Sequence, residues 1–144
     1  MMERAQTLGP LPIAVAAADD PKVLASLVEA RQQGIVMPYL VGDASAIEAI
    51  AAREGFDLSG MAIINETDRN RTARKVVSLV REGEAAVVVK GRIKTADLLK
   101  PALDHDKGLR DGGLLTHITV YETSIRDELL YISDGGVVLY PTWE

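Results

Sequence analysis

The sequence predicts an α/β fold, three-layer αβα, with a mostly parallel sheet followed by an antiparallel hairpin. Three observations predict it. Short apolar runs rich in β-branched residues alternate with helical patterns four times between residues 11 and 104. A glycine or an acidic residue stands at each changeover. Beyond residue 104 the rhythm breaks, and the strand-like runs 116–121 and 129–132 follow one another with no helix between them, which is the pattern of a hairpin.

Residues 1–10 read as an N-terminal tail ending at Gly9-Pro10, and residues 11–17 as the first strand. Asp20-Pro21 starts a helix, because a carboxylate can accept from free N–H groups and proline lacks only a hydrogen that would be unpaired there. Val23, Leu24, Leu27 and Val28 share one face, and Gly34 stops the helix in a left-handed turn. Residues 37–41 form the second strand, with Pro38 at its start. Gly42-Asp43 leads into a helix with Ile47, Ile50 and Ala51 inward, closed by Gly55.

Residues 61–64 are the third strand, and Asn65, Thr67 and Asp68 can each cap the helix after it. In that helix Ala73, Val76, Val77 and Val80 fall at i, i+3, i+4 and i+7, and Gly83 ends it. The run 85–89 is wholly apolar and is expected to be buried on both faces inside a parallel sheet. Thr95 is expected to cap a fourth helix beginning near Ala96, with Leu98, Leu99, Ala102 and Leu103 along it and Pro101 kinking or shortening it.

Composition narrows the function classes. A chain of 144 residues is long enough for one domain with a real core, and 47% hydrophobic with 26% charged residues is ordinary for a globular protein. The absence of cysteine rules out a disulfide frame, a thiolate metal site and a cysteine nucleophile, and it fits a cytoplasmic protein. A net charge of -5 gives no footprint for general nucleic-acid binding. No apolar run approaches the roughly 20 residues of a membrane span, and residues 1–10 lack a signal-peptide core. Two histidines argue against a multi-histidine metal centre. Asp104-His105-Asp106 superficially resembles a metal tripod, but adjacent loop residues rarely converge on one ion.

The most informative stretch is Lys90-Gly91, at the carboxyl end of the fourth strand. Ligands of open α/β sheets bind outside those ends. A cation, a residue without Cβ and a helix N-terminus together suit an anion. The spacing is not that of a P-loop. Lys90 can equally be a charge that ends a strand, and Gly91 a turn.

Four stretches, in order, resemble the phosphate acetyltransferase/phosphate butyryltransferase family. They are residues 30–42 (ARQQGIVMPYLVG), 89–99 (VKGRIKTADLL), 108–118 (GLRDGGLLTHI), and Ile132-Ser133-Asp134 with Pro141-Thr142. The butyryl branch is the more similar. The resemblance implies a fold like the isocitrate/isopropylmalate dehydrogenases, with two α/β domains around a cleft. It also implies reversible acyl transfer between coenzyme A and inorganic phosphate, with no cofactor apart from coenzyme A as substrate. Its implied partners are a coenzyme A thioester or an acyl phosphate, with no nucleic acid and no membrane.

Mapped by motif, the implied substrate-binding residues are Lys90, Gly91, Thr95, Thr116, His117 and Asp134. Each has a plainer alternative. Thr95 can be a helix cap, His117 a structural strand histidine, and Asp134 a turn aspartate bonded to its own backbone. The basic cluster Arg69, Arg71, Arg74 and Lys75 could meet coenzyme A phosphates or be a solvated helix face, and Arg110 in its glycine loop ranks below Lys90.

Thr116 stands where the family usually has serine and Ser133 where it often has threonine, while Pro101 and Gly135-Gly136 are atypical. The family's chain runs on for roughly as many residues again, and its usual catalytic Ser, Arg and Asp lie there, so no catalytic residue is assigned. Residues 11–144 are therefore expected to be the amino-terminal, substrate-binding half of such an enzyme, truncated or split. That half would be inactive without a complementary half or second subunit. The alternatives are a non-catalytic α/β module that binds coenzyme A or another anion, and an uncoupled fragment.

Overall fold

A computed structural model describes residues 2–112, 115–123, 125–133 and 135. The chain divides into two units, residues 2–110 and the remainder beginning at Asp111. In the first, the elements are α1 (Met2–Leu8), β1 (Leu11–Ala16), α2 (Pro21–Gln32), β2 (Val36–Gly42), α3 (Ala44–Glu54), β3 (Ala62–Asn65), α4 (Arg69–Arg81), β4 (Val87–Lys90) and α5 (Thr95–Ala102). The opening segment read as a tail thus holds a seven-residue helix.

The four strands form one parallel sheet in the order β3-β2-β1-β4. From β1 the chain steps outward through α2, β2 and α3 to β3. The connection through α4 then carries it back past β1 to β4 on the other side. Alternation along β1 feeds two cores, since successive side chains of a strand point to opposite faces. Ile13 and Val15 join Leu40 and residues of α2 and α3, including Leu24, Leu27 and Ile47. Ala14 and Ala16 join Val41 and the α4 and α5 residues Ala73, Val76, Leu79 and Leu98. The three-layer αβα arrangement follows directly.

The helix starts are capped by aspartates whose positions were legible from the chain. Asp20 accepts from the N–H groups of Lys22 and Val23, with Pro21 in the first turn. Asp43 accepts from Ala46, and Asp68 from Arg71. Of the three possible caps for α4, Asp68 takes the role. Asn65 instead reaches back, and its Oδ1 accepts from the N–H of Ala44, tying the end of β3 to the start of α3. Pro101 is the penultimate residue of α5, which stops after eight residues.

The fourth strand differs from expectation. It pairs only with β1 and is an edge strand among the described residues, with Val87 41% exposed. The burial expected on both faces is not found either: Val87 and Lys90 are exposed and Val88 and Val89 only half-buried, because an edge strand has solvent along one side. Val88 packs into one core and Val89 into the other, and neither contact requires a second neighbouring strand.

The second unit contains an antiparallel pair, β5 (Ile118–Thr123) with β6 (Arg126–Ser133), as the sequence predicts. Opposed pairs such as Val120↔Tyr131 and Tyr121↔Leu130 place apolar side chains on both faces of the ribbon, and these four residues are exposed.

Replacing Asp20 with alanine leaves two N–H groups at the start of α2 without their carboxylate. The variant is expected to lose about 1 kcal/mol of unfolding free energy, read as a lower urea midpoint at unchanged slope.

Candidate functional site

The crevice expected in a sheet of this topology lies where connections leave in opposite directions, between the carboxyl ends of β1 and β4. The backbone there is tightly built. Ala17, just beyond β1, is fully buried and sits in the left-handed region at φ 55°. A non-glycine residue held there stores roughly 1–3 kcal/mol of strain, sustained by its surroundings. Three hydrogen bonds hold it. Gly91 N–H donates to Ala16 at 2.8 Å, Arg92 N–H to Ala17 at 3.0 Å, and Ala18 N–H to Val41 at 3.2 Å.

Gly91 is a glycine because of this approach. A Cβ there would lie 2.5 Å from the Ala16 carbonyl oxygen and would overlap that of Ala17 as well. Its side facing β1 is therefore filled by β1's own backbone, and Gly91 is buried. The absence of Cβ serves the junction of two strands.

Lys90 is the last residue of β4 and is exposed, but its ammonium turns back on its own loop. Nζ donates to the Ile93 carbonyl at 3.0 Å, closing the loop that leads to α5. That loop and the start of α5 also carry Arg92 and Lys94, both exposed.

Thr95 does not cap α5. The helix begins at Thr95 itself, and Lys94 occupies the cap position with extended backbone and no side-chain hydrogen bond. A capping side chain must belong to the last non-helical residue, and Thr95 is one position too late. The first turn of α5 is consequently left without a side-chain acceptor from its cap residue.

A second feature of this edge was not singled out in the sequence. Asp19, two residues beyond Ala17, receives both guanidinium nitrogens of Arg69, Nη1 to Oδ1 at 2.7 Å and Nη2 to Oδ2 at 2.6 Å. The Asp19 side chain is only 10% exposed, and the Arg69 side chain 42%. The bonds from Arg69 hold the Asp19 carboxyl below its ordinary pKa, against the burial that would raise it. Gly42 makes room for this pair, since a Cβ there would sit 2.7 Å from Asp19 Oδ1.

The basic cluster of α4 is thus half committed. Arg69 is bound to Asp19, and Arg71 to Glu66 at 3.1 Å, whereas Arg74 and Lys75 have no ion pair among the described residues. An acidic residue at a strand's carboxyl end, and an arginine at the first position of a helix beginning at the same edge, were the signals available. A separation of 50 positions along the chain concealed their meeting.

The remaining candidates lie in the second unit. Thr116 and His117 are exposed and immediately precede β5 rather than lying within a strand. Asp134, with Pro141 and Thr142, lies outside the described residues. Among the described residues no group of three His, Cys, Asp or Glu is placed to hold a metal ion. No helix is long and apolar enough to cross a membrane.

The fold is that of the phosphotransacylases. A branched-chain phosphotransacylase from Enterococcus faecalis V583 superposes with a TM-score of 0.71 at 21% identity, over 92% of this chain and 45% of that one. A phosphotransacetylase from Streptococcus pyogenes gives 0.69 at 18% identity, over 90% and 49%.

Sequence extends the relationship beyond shape. The chain is 39% identical over 129 residues to the phosphate butyryltransferase of Clostridium acetobutylicum, covering 90% of this chain and 43% of that protein. It is 33% identical over 132 residues to the phosphate acetyltransferase of Thermotoga maritima, covering 92% and 45%. By sequence, then, the chain is a relative of the phosphate acetyltransferases and phosphate butyryltransferases, spanning a little under half the length of these two. No family model matches it.

Two outcomes test this edge. Gly91→Ala is expected to lose about 1–3 kcal/mol of stability or to fail to fold, because the added carbon meets backbone that cannot rotate away. Arg69→Gln should lose about 1 kcal/mol at pH 7. The loss should shrink in urea titrations toward pH 3, because a carboxylate with a depressed folded pKa stabilises above its unfolded value and stops doing so as pH falls through the folded one.

Proposed function

We propose that residues 11–144 form the substrate-binding half of a phosphate acyltransferase, which moves an acetyl- or butyryl-type group between coenzyme A and inorganic phosphate. The observation that carries this reading is the 39% identity to a phosphate butyryltransferase along nine-tenths of the chain. In the reaction, the coenzyme A thiol attacks the acyl phosphate carbonyl. The carbon–sulfur bond forms as the carbon–oxygen bond to phosphate breaks, and phosphate leaves.

The chemistry needs cations where phosphate charge collects and a wall that orients the substrates. The exposed Lys90, Arg92 and Lys94, beside the uncapped start of α5, supply such a wall. In this reading Lys90 provides charge, Gly91 the shape of the loop, and Thr95 a hydroxyl at the helix start. Thr116, His117 and Asp134, matched by motif alone, are proposed as further substrate contacts. The thiol's base and the remaining phosphate ligands come from a complementary half or a second subunit, and the working compartment is the cytoplasm.

The chain by itself is expected to produce no acyl-coenzyme A from butyryl phosphate or acetyl phosphate. Turnover should appear on adding the portion of the Clostridium acetobutylicum enzyme outside the matched segment, and Lys90→Gln should lower it by roughly tenfold, the worth of one charge-assisted hydrogen bond. Turnover by the 144-residue chain alone would contradict the need for a second half. Coenzyme A binding with no turnover under any pairing would favour a non-catalytic binding module.

A further inference from the structure

The ribbon of β5 and β6 carries apolar side chains on both faces. Residues directly opposite in an antiparallel pair share a face, and faces alternate along each strand. Ile118, Val120, Leu129 and Tyr131 therefore lie on one face, and Tyr121, Leu130 and Ile132 on the other. All seven are exposed, Tyr131 by 63% and Leu130 by 51%.

A hairpin with one side in water reads apolar and polar by turns. Leu129-Leu130-Tyr131-Ile132 runs apolar without a break, which is the composition of a strand covered on both sides. In the first unit β1 has that cover, with Ile13 and Val15 buried in one core and Ala14 and Ala16 in the other. The ribbon lacks it, and β5 and β6 pair with no third strand among the described residues. Two strands alone are marginally stable in water and need further strands or a packed helix. Contiguous exposed apolar surface marks contact with another polypeptide, and tyrosines are enriched at the centres of such contacts.

The two-sidedness restricts the occupant. A second copy docking about a two-fold axis offers the same face from both partners, so it covers one face of each ribbon and leaves the other in water. An occupant that covers both must bring one layer above the ribbon and one below. The phosphate butyryltransferase of Clostridium acetobutylicum has enough chain for this, since the match takes up 43% of it and more than half has no counterpart here.

We propose that the β5–β6 ribbon is the docking element for a complementary acyltransferase half, which it enters as interior strands with an apolar layer packed on each face. The proposal rests on the reading of this chain as one half of a phosphate acyltransferase and adds the surface that joins the halves.

The test is sedimentation velocity of the full 144-residue chain mixed with the portion of the Clostridium acetobutylicum enzyme outside the matched segment, with no substrate present. A one-to-one complex is expected. Val120→Ser/Tyr131→Ser on one face and Tyr121→Ser/Leu130→Ser on the other should each weaken it by roughly tenfold or more. Leu8→Ser, which removes an 81% exposed leucine from α1, should leave it within about twofold. Circular dichroism checks that the helices of the first unit persist in each variant. Weakening by only one of the two pairs would overturn the proposal, because the ribbon would then be a one-sided contact. Equal weakening by Leu8→Ser would overturn it as unspecific adhesion. Self-association of the unaltered chain through the ribbon in place of the complex would overturn it in favour of a second copy, and the absence of any complex would overturn it outright. Adding butyryl phosphate and coenzyme A scores the acyltransferase reading separately. A complex without turnover leaves the docking standing and removes the activity, whereas turnover with undiminished affinity in both ribbon variants does the reverse.

Discussion

The approach of β4 to β1 at their carboxyl ends constrains the rest of the first unit. Gly91 lies against the carbonyls of Ala16 and Ala17, closer than any side chain would allow. The hydrogen bonds from Gly91 and Arg92 keep Ala17 in a conformation that alanine adopts only under constraint. From that junction the chain leaves in two directions, through Asp19 and α2 on one side and through Lys90 and α5 on the other. The strain sits where an α/β sheet binds its ligands, and it is sustained by pairing that also sets the position of the Lys90 loop.

Charge at this edge is arranged in two different ways. Around Asp19 and Arg69 it is closed, a two-pronged pair bridging the end of β1 and the start of α4 over the space that Gly42 leaves open. Around Lys90, Arg92 and Lys94 it is open, with exposed cations and a helix start that lacks a side-chain cap. The closed pair holds architecture, and Lys90, Arg92 and Lys94 have no ion pair among the described residues. The run of basic residues along α4 divides in the same way, which is why its sequence, read as one cluster, does not reveal a single role.

Kinship with the phosphate acyltransferases was carried by short motifs, and the motif residues have unequal physical reasons for being there. Gly91 answers to strand packing. Lys90 closes its own loop and keeps its charge at the surface. Thr95 is one place beyond the capping position, so the hydroxyl that looked structural is released from that role. Thr116 and His117 stand before β5 rather than in it, because the ladder starts at Ile118 opposite Ser133.

By itself the sequence determined the order of elements from β1 onward, the aspartate-capped starts of α2, α3 and α4 and the division of apolar residues between two faces. Each of these rests on interactions between residues close along the chain, such as Asp20 with Lys22 and Val23, or on a local period of hydrophobicity. Tertiary structure decided that β4 is an edge, that Asn65 serves α3 instead of α4, and that Asp19 meets Arg69. Those outcomes depend on which distant segments the parallel sheet sets side by side. A valine run or a lone arginine carries the same local signature whatever its neighbour across the fold turns out to be.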